Sequence, residues 1–414
     1  MGERIFGLLG RKLGHSWSPP IHRELGCEGY QLIELEPEQL KHFFARTDIG
    51  GVNVTIPYKI DVMSLCDVVD DSARDIGCVN TIVRREDGKL YGWNTDAAGF
   101  CWMASRAGIS LAGKKVIILG SGGASHTVQA MSRRLGAKEI VVVSRSGEDN
   151  YENLSRHGDG DIIINTTPVG MYPDTGVSPV DLTMFPSCCG VLDVIYNPRR
   201  TALLLQAEKL GIPCSDGLPM LVAQAKAAEE YFFEKSIPDS ENERILAQLY
   251  RQTGNIILVG MPGCGKTAVG RALAGLTGRQ AIDMDEEIVR MAGCSIPEIF
   301  EKQGEDAFRR LEREVAQQVG KLSGKIILTG GGVVKDERNY NALHQNGRIC
   351  HLVRDLEQLP TEGRPLSQST NLTQMWKERA PLYERFRDCV IENTGTVEET
   401  ADAVWREFCA HSGD

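Results

Sequence analysis

Residues 260–267 read GMPGCGKT, between the apolar run NIILV and the alternating AVGRALAGL. The spacing G-x-x-x-x-G-K-[ST] is that of a phosphate cradle. Backbone N–H groups around Gly263, Cys264 and Gly265 can surround phosphate oxygens, Lys266 can reach the transferring end, and the Thr267 hydroxyl can ligate Mg²⁺. A strand is predicted before the loop and a helix after it, a context that a chance match would not bring. The chemistry indicated is phosphoryl transfer, with ATP as the expected donor. Farther on, DMDEEI supplies Asp283 and Asp285, GEDAFRRLE supplies Arg309 and Glu312, LTGGGVV supplies Gly330, Gly331 and Gly332, EGRPL supplies Arg364, and KERAPLYE supplies Arg379. Taken alone, Arg309 and Arg310 also read as an exposed helix face paired with Glu312 and Glu314, and the three glycines as a plain turn.

A second chemistry lies upstream. Residues 119–125, LGSGGAS, put Gly120, Gly122 and Gly123 between the strand-like KKVIIL and a helical stretch, and the strand-like EIVVVSR follows. Glycine permits the tight turn and close backbone approach. The helix N-terminus then offers unpaired N–H groups and a positive dipole end to a pyrophosphate. The second strand ends in Ser144-Arg145-Ser146. An acid there would accept from free ribose hydroxyls, whereas an arginine suits a 2′-phosphate, so NADP(H) is the expected cofactor. By itself Arg145 is equally a solvated loop charge. Earlier still, HSWSPPIH, NVTIPYK, GCVNT and GWNTDAAGF carry Ser16, Ser18, Asn53, Thr55, Lys59, Asn80, Asn94 and Asp96. Hydride delivery to a ketone leaves an alkoxide that needs a proton, and a lysine tuned by its neighbours can supply one. Singly, Lys59 reads as a solvated lysine and Asn94-Thr95-Asp96 as a helix cap.

These groups need scaffolds, and 414 residues exceed one ordinary domain. Short apolar runs alternating with helical stretches predict an α/β chain of three blocks. Residues 1–105 form the first and 106–215 a Rossmann-like second; helices in 216–252 return to the first. Residues 255–414 form a P-loop α/β block with a central parallel sheet. Ser240, with Glu243 three residues on, predicts a capping box before a helix that closes the second block. The junction at Thr253-Gly254 is very short. At 42% hydrophobic and 25% charged, with net charge −10, the composition is that of a globular protein without a nucleic-acid or anionic-membrane surface. No apolar run reaches membrane-spanning length and the first ten residues show no leader pattern, so a cytoplasmic location is expected. The 12 cysteines include no C-x-x-C pair and read as reduced, buried thiols. Oligomeric state is not legible.

Over roughly residues 5–252, the ordered stretches GHSWSPPIH, GVNVTIPYK, NTDAAG, LGSGGAS, NTTPVGM, DVIYNP and DGLPMLVAQA resemble shikimate dehydrogenase. The resemblance implies a substrate domain built around a parallel sheet, joined to an NADP-binding Rossmann domain. It implies Ser16, Ser18, Asn53, Thr55, Asn80 and Gln224 as substrate contacts, Lys59 and Asp96 as the catalytic pair, and Gly120, Gly122, Gly123, Ala124 and Arg145 on the cofactor. Asp149 stands where the family often has a second basic residue, Ser144 replaces an Asn, and Pro219 replaces a Gly. Over roughly residues 255–408 the order of motifs resembles shikimate kinase. That implies Asp285 and Lys266 as catalytic, Asp285, Arg309, Gly331, Gly332 and Arg379 on the acceptor substrate, and Asp283 with Thr267 near Mg²⁺. Arg364 would belong to a lid over ATP. Together the halves imply reduction of 3-dehydroshikimate to shikimate, then its phosphorylation. A quinate-oxidising first half using NAD, or one half acting as a sensor without catalysis, are the rival readings. Arg145 speaks against the first; Lys59, Asp96, Lys266, Thr267, Asp283 and Asp285 speak against the second.

Overall fold

The computed structural model describes residues 4–14, 16–358 and 372–411. Arg364 lies outside the described residues. The chain divides into two compact units, one of Met1–Met171 with Val177–Leu246 and one of Tyr172–Gly176 with Ala247–Asp414.

The first unit holds two sheets. Strands β1 (Ile5–Gly10), β2 (Tyr30–Glu34), β3 (Ile49–Val54), β4 (Val68–Val69), β5 (Thr81–Arg84) and β6 (Leu90–Trp93) pair in the order β2-β1-β3-β5-β6-β4. This sheet is mixed rather than wholly parallel. β5 runs antiparallel to both β3 and β6; the turn through Gly88, at φ +79°, sends the chain straight back from β5 into β6. Its central strand β3 is buried along its whole length. The second sheet, β7 (Lys115–Leu119), β8 (Glu139–Val143), β9 (Ile162–Asn165), β10 (Gly190–Asp193) and β11 (Cys214–Ser215), is parallel in the order β11-β10-β9-β7-β8. In β7, Val116 and Ile118 join one apolar cluster and Ile117 and Leu119 another. Alternate side chains thus enter cores on both faces, which is why the strand reads as an unbroken apolar run. The helix Leu218–Phe233 then returns to the first sheet, where Phe232 packs on Gly51; a Cβ on that glycine would lie 2.3 Å from its ring.

The second unit contains β12 (Asn255–Val259), β13 (Ala281–Asp283), β14 (Ile326–Leu328), β15 (Gly347–Val353) and β16 (Cys389–Glu392). They are parallel in the order β13-β14-β12-β15-β16. The division between units falls inside the helix Ser240–Thr253, ahead of the expected Thr253-Gly254 junction. Ser240 is the first helical residue rather than a cap. Pro238 and Asp239 carbonyls already accept from the N–H groups of Glu241 and Asn242, at 3.0 Å each, and Glu243 turns to Arg106.

Candidate active sites

In the first unit, Lys59 follows β3 and Asp96 opens the helix Asp96–Arg106. The loop carrying Lys59 is anchored by buried Tyr58, whose hydroxyl donates to the Leu35 carbonyl at 2.6 Å, and by Val79 N–H donating to the Lys59 carbonyl at 2.8 Å. These anchors bring Lys59 Nζ to 2.5 Å from Asp96 Oδ2, with both side chains largely buried. At the helix start Asn94 Oδ1 accepts from Ala97 N–H at 3.3 Å, while Thr95, the cap residue, makes no side-chain cap bond. Asn80 Oδ1 accepts from Thr95 N–H at 2.7 Å. Thr95 Oγ1 lies 3.5 Å from Gln224 Oε1. Lys59, Asn80, Asp96 and Gln224 are thereby linked through Thr95 and the start of one helix. Ser18 is buried at the start of the helix Ser18–Glu24, and its N–H donates to Ser16 Oγ at 3.2 Å. Thr55 N–H donates to the Leu9 carbonyl at 2.9 Å. Asn53 is only 4% exposed; its Oδ1 accepts from Tyr30 Oη at 2.8 Å and its Nδ2 donates to Thr81 Oγ1 at 3.0 Å. Tyr30 stacks at 3.7 Å on His22, which pairs with Glu229 at 2.5 Å, both fully buried. Residues 22 and 229 lie too far apart in the chain for spacing to have announced this support.

Sequence reading also missed Gly99. A Cβ there would lie 2.5 Å from the Met220 carbonyl and 3.1 Å from Gln224 Cβ, so glycine sets how closely the two helices approach. Gly99→Ala is expected to destabilise the first unit by about 1–3 kcal/mol and to raise KM for the cyclic substrate, with phosphorylation unchanged. Thermal unfolding and separate kinetics of the two activities check it.

The glycine turn sits where predicted, between β7 and the helix Gly123–Arg134. Gly120 has φ +105°, and a Cβ there would lie 2.8 Å from Thr166 Oγ1, whereas space is open around Gly122 and Gly123. Helix start and open space fit a dinucleotide pyrophosphate. Ala124 lies in the first helical turn, and Arg145 follows β8, exposed. Across the sheet, Asp193 is fully buried; it accepts from Asn165 Nδ2 at 3.0 Å and Ile195 N–H at 3.0 Å, and Thr201 Oγ1 is 2.7 Å away. Asn165 in turn accepts from Thr167 N–H at 3.0 Å, beside the turn. Burial pushes the Asp193 carboxyl from its usual 3.8 up to about 7. Between those values the native state holds a proton that the unfolded chain has released. This contribution to stability is therefore complete below about pH 4 and is lost as pH rises to about 7. Asp193→Asn, which imitates the protonated form, is expected to remove a fall on the order of 4 kcal/mol across that window, measured by urea unfolding at pH 4 and 7.5.

In the second unit, the loop after β12 takes φ of +151° at Gly260, +90° at Gly263 and +100° at Gly265. This delivers Lys266 and Thr267 to the first turn of the helix Lys266–Thr277. Lys266 Nζ donates to the Gly260 and Met261 carbonyls, at 2.8 and 3.1 Å. The loop borders a cavity of about 770 Å³ that also reaches Asp283, Asp285, Arg309, Glu312, Gly331, Gly332 and Arg379. Cys264 is buried behind it, donating no side chain to the lining. Asp283 caps the helix Met284–Ala292, Oδ1 accepting from Asp285 N–H at 3.0 Å. Burial and then the neighbouring Asp283 charge raise the Asp285 carboxyl, against Lys266 and Arg309.

Arg309 is not on an exposed face. Gly304, at φ +81°, breaks the helix Ile296–Gly320, and Arg309 bonds Glu312 at 2.7 Å and Glu305 at 3.0 Å. Gly332 makes room for it: a Cβ there would lie 2.6 Å from Arg309 Nη1. The Gly331 carbonyl accepts from Arg379 Nη1 at 2.9 Å and Tyr383 Oη at 2.7 Å, so the glycines are a seat for arginines rather than a plain turn. Ile296, Pro297, Phe300 and Phe308 add an apolar wall that sequence reading did not single out; the apolar spacing in SIPEIF and the phenylalanine of GEDAFRRLE were its signals.

Fold and geometry define a nucleotide-binding α/β oxidoreductase unit joined to a P-loop phosphotransferase unit. Residues 8–82 match the family model described as Shikimate dehydrogenase substrate binding domain, and residues 262–409 match Shikimate kinase. The shikimate dehydrogenase (NADP(+)) of Clostridium beijerinckii is 41% identical over 250 residues, covering 56% of this chain and 92% of that one. That of Caldicellulosiruptor bescii is 40% identical over 260 residues, covering 56% and 90%. A solved chorismate mutase/shikimate 5-dehydrogenase fusion protein from Clostridium acetobutylicum is 39% identical with TM-score 0.58, covering 60% of this chain and 97% of that one. The Thermus thermophilus shikimate 5-dehydrogenase, solved in complex with NADP(H) and shikimate, is 30% identical with TM-score 0.53, covering 58% and 97%. The chain belongs to the shikimate dehydrogenase family and carries a shikimate kinase domain behind it.

Proposed function

We propose that this chain catalyses two consecutive steps on one small molecule: NADPH-dependent reduction of 3-dehydroshikimate to shikimate, and ATP-dependent phosphorylation of shikimate to shikimate 3-phosphate. The observation that carries this reading is a shikimate dehydrogenase unit with a closed lysine–aspartate pair, followed in the same chain by a P-loop cavity edged by paired carboxylates and arginines.

In the first site NADPH, when bound, supplies the hydride. Lys59 Nζ, oriented by Asp96, gives a proton to the carbonyl oxygen as negative charge gathers on it. Ser16, Ser18, Asn53, Thr55, Asn80 and Gln224 hold the ring hydroxyls and carboxylate. Gly120, Gly122, Gly123 and Ala124 cradle the pyrophosphate, and Arg145 meets the 2′-phosphate.

In the second site, Gly263, Cys264 and Gly265 present backbone N–H groups to ATP phosphates, and Lys266 turns from its own loop carbonyls to the transferring end. Thr267 Oγ1 and the second Asp283 oxygen suit Mg²⁺, which keeps several waters and takes few protein ligands. Arg309 and Arg379 grip the shikimate carboxylate as planar forks. Asp285, raised in proton affinity, accepts the proton of the attacking hydroxyl. Positioning and charge neutralisation are most of what the transfer needs.

Among the described residues no helix is long and apolar enough to cross a membrane; with small-molecule substrates and no basic surface signal, we place the chain in the cytoplasm. The test is one reaction containing 3-dehydroshikimate, NADPH, ATP and Mg²⁺. NADPH loss with a phosphorylated ring product supports the reading, and shikimate accumulating unphosphorylated removes its second half.

A further inference from the structure

The turn after β8 carries both charges that discriminate between nicotinamide dinucleotides. At the end of the second strand of a βαβ unit, a carboxylate favours a free ribose 2′-hydroxyl and a guanidinium favours a 2′-phosphate. Here Arg145 and Asp149 share one closed turn. Ser144 N–H donates to the Asp149 carbonyl at 3.1 Å and Gly147 N–H to the Ser144 carbonyl at 3.4 Å. Gly147 is pressed between them, since a Cβ would lie 2.7 Å from Ser144 Oγ and 3.0 Å from the Asp149 carbonyl. A bare carboxylate so near would repel a phosphate.

His157, at the end of the short helical turn Leu154–His157, meets this carboxylate. Its Nε2 lies 2.8 Å from Asp149 Oδ1. The imidazole is largely buried, with Nδ1 sealed from solvent and without a partner among the described residues. Nε2–H therefore donates to Asp149. Asp159, the other acid near His157, is occupied by Lys115 at 2.9 Å. Arg145 remains exposed, paired with no carboxylate among the described residues.

We infer that His157 is a specificity-determining residue for the cofactor: it holds the Asp149 carboxylate and leaves Arg145 as the charge presented to the ribose 2′ position. The inference rests on the NADP(H) reading above. It is tested on the full-length chain by calorimetric binding of NADP⁺ and NAD⁺, alongside kcat/KM for NADPH and NADH. His157→Ala is expected to lower the NADP⁺-to-NAD⁺ affinity ratio about tenfold, and Asp149→Asn in that background to restore it. His157→Gln, whose amide can still donate to Asp149, retains most of the preference. A merely structural role would weaken both dinucleotides alike and would not be rescued by Asp149→Asn. An unchanged ratio in His157→Ala, with wild type preferring NADP⁺, overturns this inference alone. A wild-type chain that binds neither dinucleotide overturns the cofactor reading as well. Should His157→Ala fail to fold, His157→Phe, which fills similar space without a donor, decides: a lowered NADP⁺-to-NAD⁺ ratio supports the inference and an unchanged or raised ratio overturns it.

Discussion

Replacing Lys59 with alanine is expected to lower dehydrogenation roughly 10²–10⁴-fold and to leave phosphorylation of added shikimate within a factor of two or so. The expectation follows from the 2.5 Å contact to Asp96. An alkoxide forming without a positioned proton donor must wait for water, and the lost ammonium also leaves Asp96, 8% exposed, without its counter-charge. Two measurements separate those effects. Steady-state kinetics with 3-dehydroshikimate and NADPH report the chemistry, and thermal unfolding reports the unpaired carboxylate. Loss of both activities together would contradict independent sites in the two units.

Asp285→Asn should act on the other activity with an opposite sign on stability. Phosphorylation is expected to fall roughly 10²–10⁴-fold, because an amide cannot take the proton of the attacking hydroxyl. Yet burial and the Asp283 charge already raise the proton affinity of Asp285, so its ionised form is held at a cost in the folded state. The isosteric amide removes that cost. The variant is therefore expected to unfold at the wild-type temperature or slightly above it at neutral pH, while dehydrogenation is unaffected. A kinase defect accompanied by marked destabilisation would assign Asp285 a structural role instead. Stability gained where activity is lost is the usual mark of a group placed for chemistry rather than for the fold.

How much of each site was legible depends on how far its parts lie apart in the chain. The phosphate loop was fully legible, because its strand, glycines, lysine and threonine are contiguous and the backbone conformation that makes the cradle is set by those residues themselves. The glycine turn of the second sheet was legible for the same reason. Arg309 was ambiguous: its neighbours in sequence offered ion pairs along an exposed helix, and only the break at Gly304 and the space over Gly332 set it into a cavity. The mixed direction of the first sheet was hidden because apolar strands look alike whichever way they run.

The order of motifs alone determined that this protein has a reducing half and a phosphorylating half, and which local loops serve each. Tertiary structure alone decided which groups meet and with what charge. Lys59 finds Asp96 across 37 positions, Arg379 finds the Gly331 carbonyl across 48, and Asp149 finds the His157 imidazole across 8. The physical reason is that backbone conformation answers to adjacent residues, whereas proton affinity and exposed charge answer to burial and to partners that only the folded chain brings within hydrogen-bond reach.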